Sequence, residues 1–228
     1  MKNSMIVFKK QLIDTLKNKT VLIQFILFPA MTLIMENTVK MEGMPELFFT
    51  KLFSVMYMGM APVTSMAAVI SEEKEKNTLR VLMMANVKPV EYLLGVGVYV
   101  WLICMAGAGV MATGFKGSGI VFYMALMGAG FAVSVLAGAC IGIYAKNQMV
   151  ATSICMPVMM VLSFAPMLAM FNENIRSFSK IFYTQQIRNF LEDMSLCNAG
   201  KESVIILLLN AALAMILFFI AFRKKGLE

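Results

Sequence analysis

Glu72 and Glu73 are adjacent carboxylates, set among Lys74, Glu75, Lys76 and Arg80. Paired carboxylates are a usual seat of acid–base chemistry. A glutamate-pair protease motif of the EExxxR type would need Arg at position 77 and histidines further on. Position 77 is Asn77, and the chain has no histidine. That absence also removes the commonest general base and the commonest metal ligand. No GxxxxGK followed by Ser or Thr occurs to cradle nucleotide phosphates. Cys104, Cys140, Cys155 and Cys197 have neither metal-ligand nor redox spacing, and three of them sit in apolar runs. The sequence therefore offers no catalytic, cofactor-binding or metal-binding residues. Its charged stretch, Ser71 to Gly95, reads as a handle to be gripped.

The rest of the chain explains why a handle is needed. Of 228 residues, 60% are hydrophobic and 14% charged, with a mean hydropathy of +0.77. A soluble domain carries about 25% charged residues, so this composition predicts an integral membrane protein, with residues 1–228 forming one domain. The net charge of +7 fits anionic lipid and the positive-inside bias. Nucleic acid is not an expected partner, because the cations lie in short loops and not on one surface.

Hydropathy predicts an all-α membrane fold with six spans, at about 20–39, 48–70, 92–114, 119–144, 149–171 and 204–222. Each is near the roughly 20 residues a bilayer core requires. Ahead of them, Met5, Phe8, Leu12 and Leu16 recur at helical spacing with Lys9, Lys10 and Lys17 between and beside them, the pattern of an amphipathic helix on the membrane surface. Pro157 and Pro166 predict a kinked or broken fifth span. In the fourth span Gly130, Ser134, Gly138 and Gly142 recur every four residues. Such a small-residue stripe lets helices approach closely, and packing on a neighbouring span is the plain expectation. Between the fifth and sixth spans, Ile187, Phe190, Leu191 and Met194 have the spacing of an interfacial helix. Placing both termini inside puts 13 of the 20 Lys and Arg on inner segments, and the handle with them. Glu36 and Lys51 lie near span ends and no other Asp, Glu, Lys or Arg falls within a span, so an ion-coupled carrier or channel is disfavoured.

Within the handle, Ser71 is positioned to cap a helix with Glu72, Glu73 and Glu75 in its first turn. Leu79, Leu82 and Met83 would give that helix one apolar face, and Asn86, Lys88 and Pro89 would end it. An ordinary solvated loop is the competing account. The run Glu73-Lys74-Glu75-Lys76-Asn77-Thr78-Leu79-Arg80-Val81-Leu82, followed by Pro89, Glu91, Leu94 and Gly95, resembles the E-(R/K)-E-x-G-T-L-x-x-L…P…E-x-x-x-G signature of ABC-2 type transporter permeases. The signature follows the second of six spans in that family, as here. Asn77 stands where Gly is usual, and Val96 where Lys is common.

The resemblance implies the membrane subunit of an ATP-driven exporter in the plasma membrane, with both termini cytoplasmic. Two permease subunits, identical or sister chains, would work with a separate nucleotide-binding ATPase that holds ATP and Mg. Glu72, Glu73, Glu75, Thr78, Leu79, Leu82 and Pro89 would couple the two, in a cytoplasmic coupling helix between spans two and three. The amino-terminal helix, around Lys9, Lys10 and Lys17, would add a second contact. The expected cargo is hydrophobic or amphipathic: a peptide, a drug or a lipid-like molecule. The alternative is a non-transporting membrane scaffold or an immunity protein.

Overall fold

A computed structural model describes residues 2–17, 19–39, 43–193 and 201–225. Every regular element among them is helical. In chain order these are α1 (Lys2–Lys17), α2 (Lys19–Thr38), α3 (Phe48–Glu75), α4 (Thr78–Met84), α5 (Pro89–Met111, with a 3₁₀ turn through Gly114), α6 (Ser118–Tyr144), α7 (Gln148–Leu168), α8 (Glu173–Ser179), α9 (Tyr183–Asp193) and α10 (Lys201–Lys225). Five are long and apolar enough to cross a membrane: α3, α5 with its turn, α6, α7 and α10. The first predicted span corresponds to α2, whose described apolar stretch, Leu22–Thr38, is shorter than those five.

Helix α3 is the axis of the bundle, packed against α2, α5, α6, α7 and α9. Its closest neighbour is α6, because the stripe of small residues lets the two backbones meet. A Cβ on Gly138 would lie 2.5 Å from the Val63 carbonyl oxygen, and one on Gly142 would lie 2.8 Å from Ile70 Cβ. At Gly130 the space goes to Met58 and to Ile187 of α9. Ser134 completes the stripe in another way. Pro62 has no N–H to give the Met58 carbonyl one turn earlier, and the Ser134 hydroxyl donates to that carbonyl at 2.8 Å. The same hydroxyl lies 2.6 Å from that of Tyr183 on α9. A proline in α3 is thus made good by a serine in α6.

Two expectations change here. The apolar face of α9 is turned into the protein: Ile187, Phe190 and Leu191 are buried against α3 and α6. Its buried Arg188 donates to the Pro166 carbonyl and pairs with Glu192. An arginine neutralised in this way can be buried, so the apolar face of α9 is covered by protein and not by lipid. Met194 lies outside the described residues. Of the kink or break expected at Pro157 and Pro166, the break does not occur: α7 is continuous through both prolines to Leu168.

Helix α2 is fastened to α3 by Gln24, which donates to the Ala61 carbonyl at 3.0 Å and to Ser65 Oγ at 2.9 Å. Glu36 accepts from the Thr50 N–H at 2.9 Å. It thereby satisfies one of the N–H groups that a helix start leaves without a partner. Replacing Gly138 with Ala should lower stability by about 1–3 kcal/mol through overpacking. The same change at Gly109, which has open space around it, should not. Thermal unfolding in detergent compares the two.

Candidate functional site

The charged stretch does not start a helix at Ser71. Glu and Lys are good helix formers, nothing before Lys76 breaks the chain, and α3 continues through Glu75. Ser71 is buried inside it, its hydroxyl donating to the Ala68 carbonyl. The break comes at Asn77, whose φ of 55° puts it in the left-handed region. Asn is among the residues that tolerate this conformation best after Gly, so it can stand where the family signature has Gly. Asn86, with φ 63°, ends the short helix α4 in the same way. An extended Lys88 then leads into Pro89 at the first position of α5, and the Glu91 carboxylate accepts from the Lys88 N–H.

The acidic residues therefore occupy the last turn of α3. Carboxylates are disfavoured there, because the carbonyl end of a helix is its negative end. Each has a compensating partner. Glu73, only 6% exposed, takes Lys10 of α1 as an ion pair on one carboxylate oxygen, and Gln11 Nε2 donates to the same oxygen at 2.6 Å. Its other oxygen and the Tyr92 hydroxyl of α5 share the same buried space without a hydrogen bond of good geometry between them. Glu75 accepts from the Gln148 N–H at 2.9 Å, at the start of α7. There a carboxylate meets the positive end of a second helix, beside the Asn147 side chain that caps it. Glu72 pairs with Lys76 at 2.5 Å on the exposed side and holds the Lys76 ammonium above the usual lysine range.

Lys74 donates to the Ile143 carbonyl at 2.8 Å, at the closing turn of α6. Thr78 donates to the Glu73 carbonyl at 3.1 Å and so joins α4 to the end of α3. Glu73, Lys74, Glu75 and Thr78 thus bind the end of α3 to α1, α6, α7 and α4. Leu79 is sealed in the core, with Leu82 and Met83 half-buried beside it. The opposite face of α4 is open: Arg80, Val81 and Met84 are exposed, Met84 by 79%.

The partners of this clamp were not readable beforehand. Gln11 lies on the side of α1 facing inward with Val7, whereas Met5 and Leu12 of the expected apolar stripe are exposed. Phe8 packs edge-on against Tyr99. Helix α1 lies against α5 so closely that a Cβ on Gly95 would come 2.8 Å from the Ser4 carbonyl oxygen. Lys9 is exposed, and the side chains of Leu16 and Lys17 lie outside the described residues. Asn147 ahead of an apolar run is a cap signature that sequence alone carries. No local signal carries Gln11. Gly130, Ser134 and Gly138 form the α3–α6 contact away from this end, and Gly142 carries that contact nearest to it. Among the described residues no cluster of three or more metal-ligating side chains occurs.

A double-mutant cycle on Lys10→Met and Glu73→Gln, read by thermal unfolding, should give a coupling of about 1–3 kcal/mol. Additive losses would show that the pair does not hold α1.

Comparison with curated proteins gives no significant match. The profile of the family described as "ABC-2 family transporter protein" matches residues 2–223, which is nearly the whole chain. Helices of membrane-crossing length, a charged break after α3 and this match lead to one conclusion: the chain belongs to the ABC-2 transporter family, as a multi-pass membrane permease component.

Proposed function

We propose that this chain is the membrane subunit of an ATP-driven exporter, with α4 as the element on which a separate nucleotide-binding ATPase pushes. Counting α2, six helices cross the plasma membrane, and both termini and α4 are cytoplasmic. Two permease chains form the path for a hydrophobic or amphipathic cargo, and ATP and Mg reside on the partner.

The observation that carries this reading is the two-sidedness of α4. Its inner face is anchored by Leu79 and its first residue is tied to Glu73. Its outer face offers Arg80, Val81 and Met84 to solvent with no described side-chain partner. An exposed methionine beside an arginine is a common composition for a protein contact. Force applied there would reach α3 through Thr78. It would then pass to α1, α6 and α7 through Glu73, Lys74 and Glu75 without crossing a flexible joint. On this reading Glu73, Glu75, Thr78 and Leu79 transmit, Leu82 supports and Pro89 sets the entry to α5, while Arg80, Val81 and Met84 make the contact. Glu72 and Lys9 sit at the rim.

The test is co-purification from cells expressing the neighbouring reading frames. The wild-type chain should bring down a soluble nucleotide-binding protein, and Met84→Asp should cut its recovery at least tenfold while leaving membrane insertion intact. Wild-type recovery with Met84→Asp would remove α4 as the contact. No nucleotide-binding partner with the wild type would remove the exporter reading.

A further inference from the structure

Helices α5 and α10 both lean on α6 but leave a groove between them of about 440 Å³. It follows α5 from Val90 to Trp101, a rise of eleven residue steps and so about 16 Å. That is close to half of the roughly 30 Å hydrocarbon core of a bilayer. The groove is one leaflet deep, and it lies at the α4 end of the bundle, where α5 begins and α10 closes.

Its wall is apolar throughout. The one polar side-chain atom among the lining residues, Trp101 Nε1, is turned away and donates to the Gly128 carbonyl at 2.9 Å. A peptide or a polar drug would find no hydrogen-bond partner there, and burying its polar groups would be costly. A hydrocarbon chain has no such groups.

The mouth has the opposite character. Lys88 lies two residues before Val90, and Arg223 and Lys224 follow Phe222 directly on the other wall. All three are exposed, and none of their side chains has a described ion-pair or hydrogen-bond partner. The acidic residue on this rim, Glu91, is engaged at the start of α5 with the Lys88 N–H. Three exposed cations thus flank the mouth of an apolar slot about half as long as a bilayer core is thick.

We infer that the groove seats one acyl chain of an anionic phospholipid, whose phosphate is held by Lys88, Arg223 and Lys224. The site needs only the membrane placement that the family provides, so it stands or falls separately from the ATPase reading.

The test reconstitutes the full chain in phosphatidylcholine bilayers containing a trace of spin-labelled phosphatidylglycerol or spin-labelled phosphatidylcholine. Electron paramagnetic resonance then measures the fraction of label immobilised by the protein. Labelled phosphatidylglycerol should be preferred by at least roughly fivefold, the effect of a single surface cation. The triple change Lys88→Gln, Arg223→Gln and Lys224→Gln should bring the preference near unity. Ala132→Trp, which fills the groove from its exposed position on α6, should do the same with all three charges in place. Equal immobilisation of both labels by the wild type would overturn the site. Survival of the preference in the triple variant would do so too. Survival in Ala132→Trp would assign the preference to surface charge alone. Efficient cross-linking of two copies through Val98→Cys would assign the groove to a second chain, and would equally overturn it.

Discussion

A carboxylate withdrawn from water must be bonded or it will not stay charged, and Glu73 is withdrawn at the place where its own helix is least hospitable to it. At the last turn of α3 the free carbonyls already present negative charge. Lys10 and Gln11 bring the compensating donors on one face of α1. The amino-terminal helix is therefore an integral part of the bundle. Its Ser4 and Val7 lie against Gly95 of α5, and its exposed Met5, Ile6 and Ile13 remain available to lipid. A side chain at position 95 would lift α1 away from the carboxylate that needs it.

The neighbouring residues extend the same logic to other helices. Lys74 reaches the exposed carbonyls at the end of α6, where a cation is favourable, and Glu75 reaches the N–H groups at the start of α7, where an anion is. Three helix ends are thus joined through charges placed against their dipoles. At mid-bundle the joining is steric: glycines of α6 admit the backbone of α3, and Ser134 occupies the carbonyl that Pro62 leaves unbonded. A charged clamp at one end and close backbone contact along the length make α3 and α6 a single stiff unit.

The elements were largely legible in the sequence because their signals are local. Apolar runs marked the membrane-length helices, four-residue spacing marked the α6 stripe, and Pro89 marked the start of α5. The site was legible only as a motif. Ser71 read as a cap because Ser followed by acidic residues is the usual start of a helix. The helix was already under way, and the turn waited for Asn77. What compensates Glu73 lies 63 residues away in Lys10, and what Glu75 caps lies 73 residues away in Gln148. No short-range pattern encodes either meeting. The inward turn of α9 was hidden for the same reason: an amphipathic face does not say whether lipid or protein covers it, and only Gly130 opposite Ile187 decides.

On the proposed reading, these contacts give α4 a mechanical meaning within the permease. A seven-residue helix with one open face, pinned through residues that hold three other helices, would on that reading move those helices when it moves. The rigidity of that connection is directly measurable. In a background with the four cysteines replaced, spin labels at the exposed positions Lys9→Cys and Arg80→Cys would report the separation of α1 and α4 by double electron–electron resonance. A narrow single distance that broadens markedly on Glu73→Gln is the result expected if the buried carboxylate holds the two together. An equally narrow distribution with and without that carboxylate would contradict it.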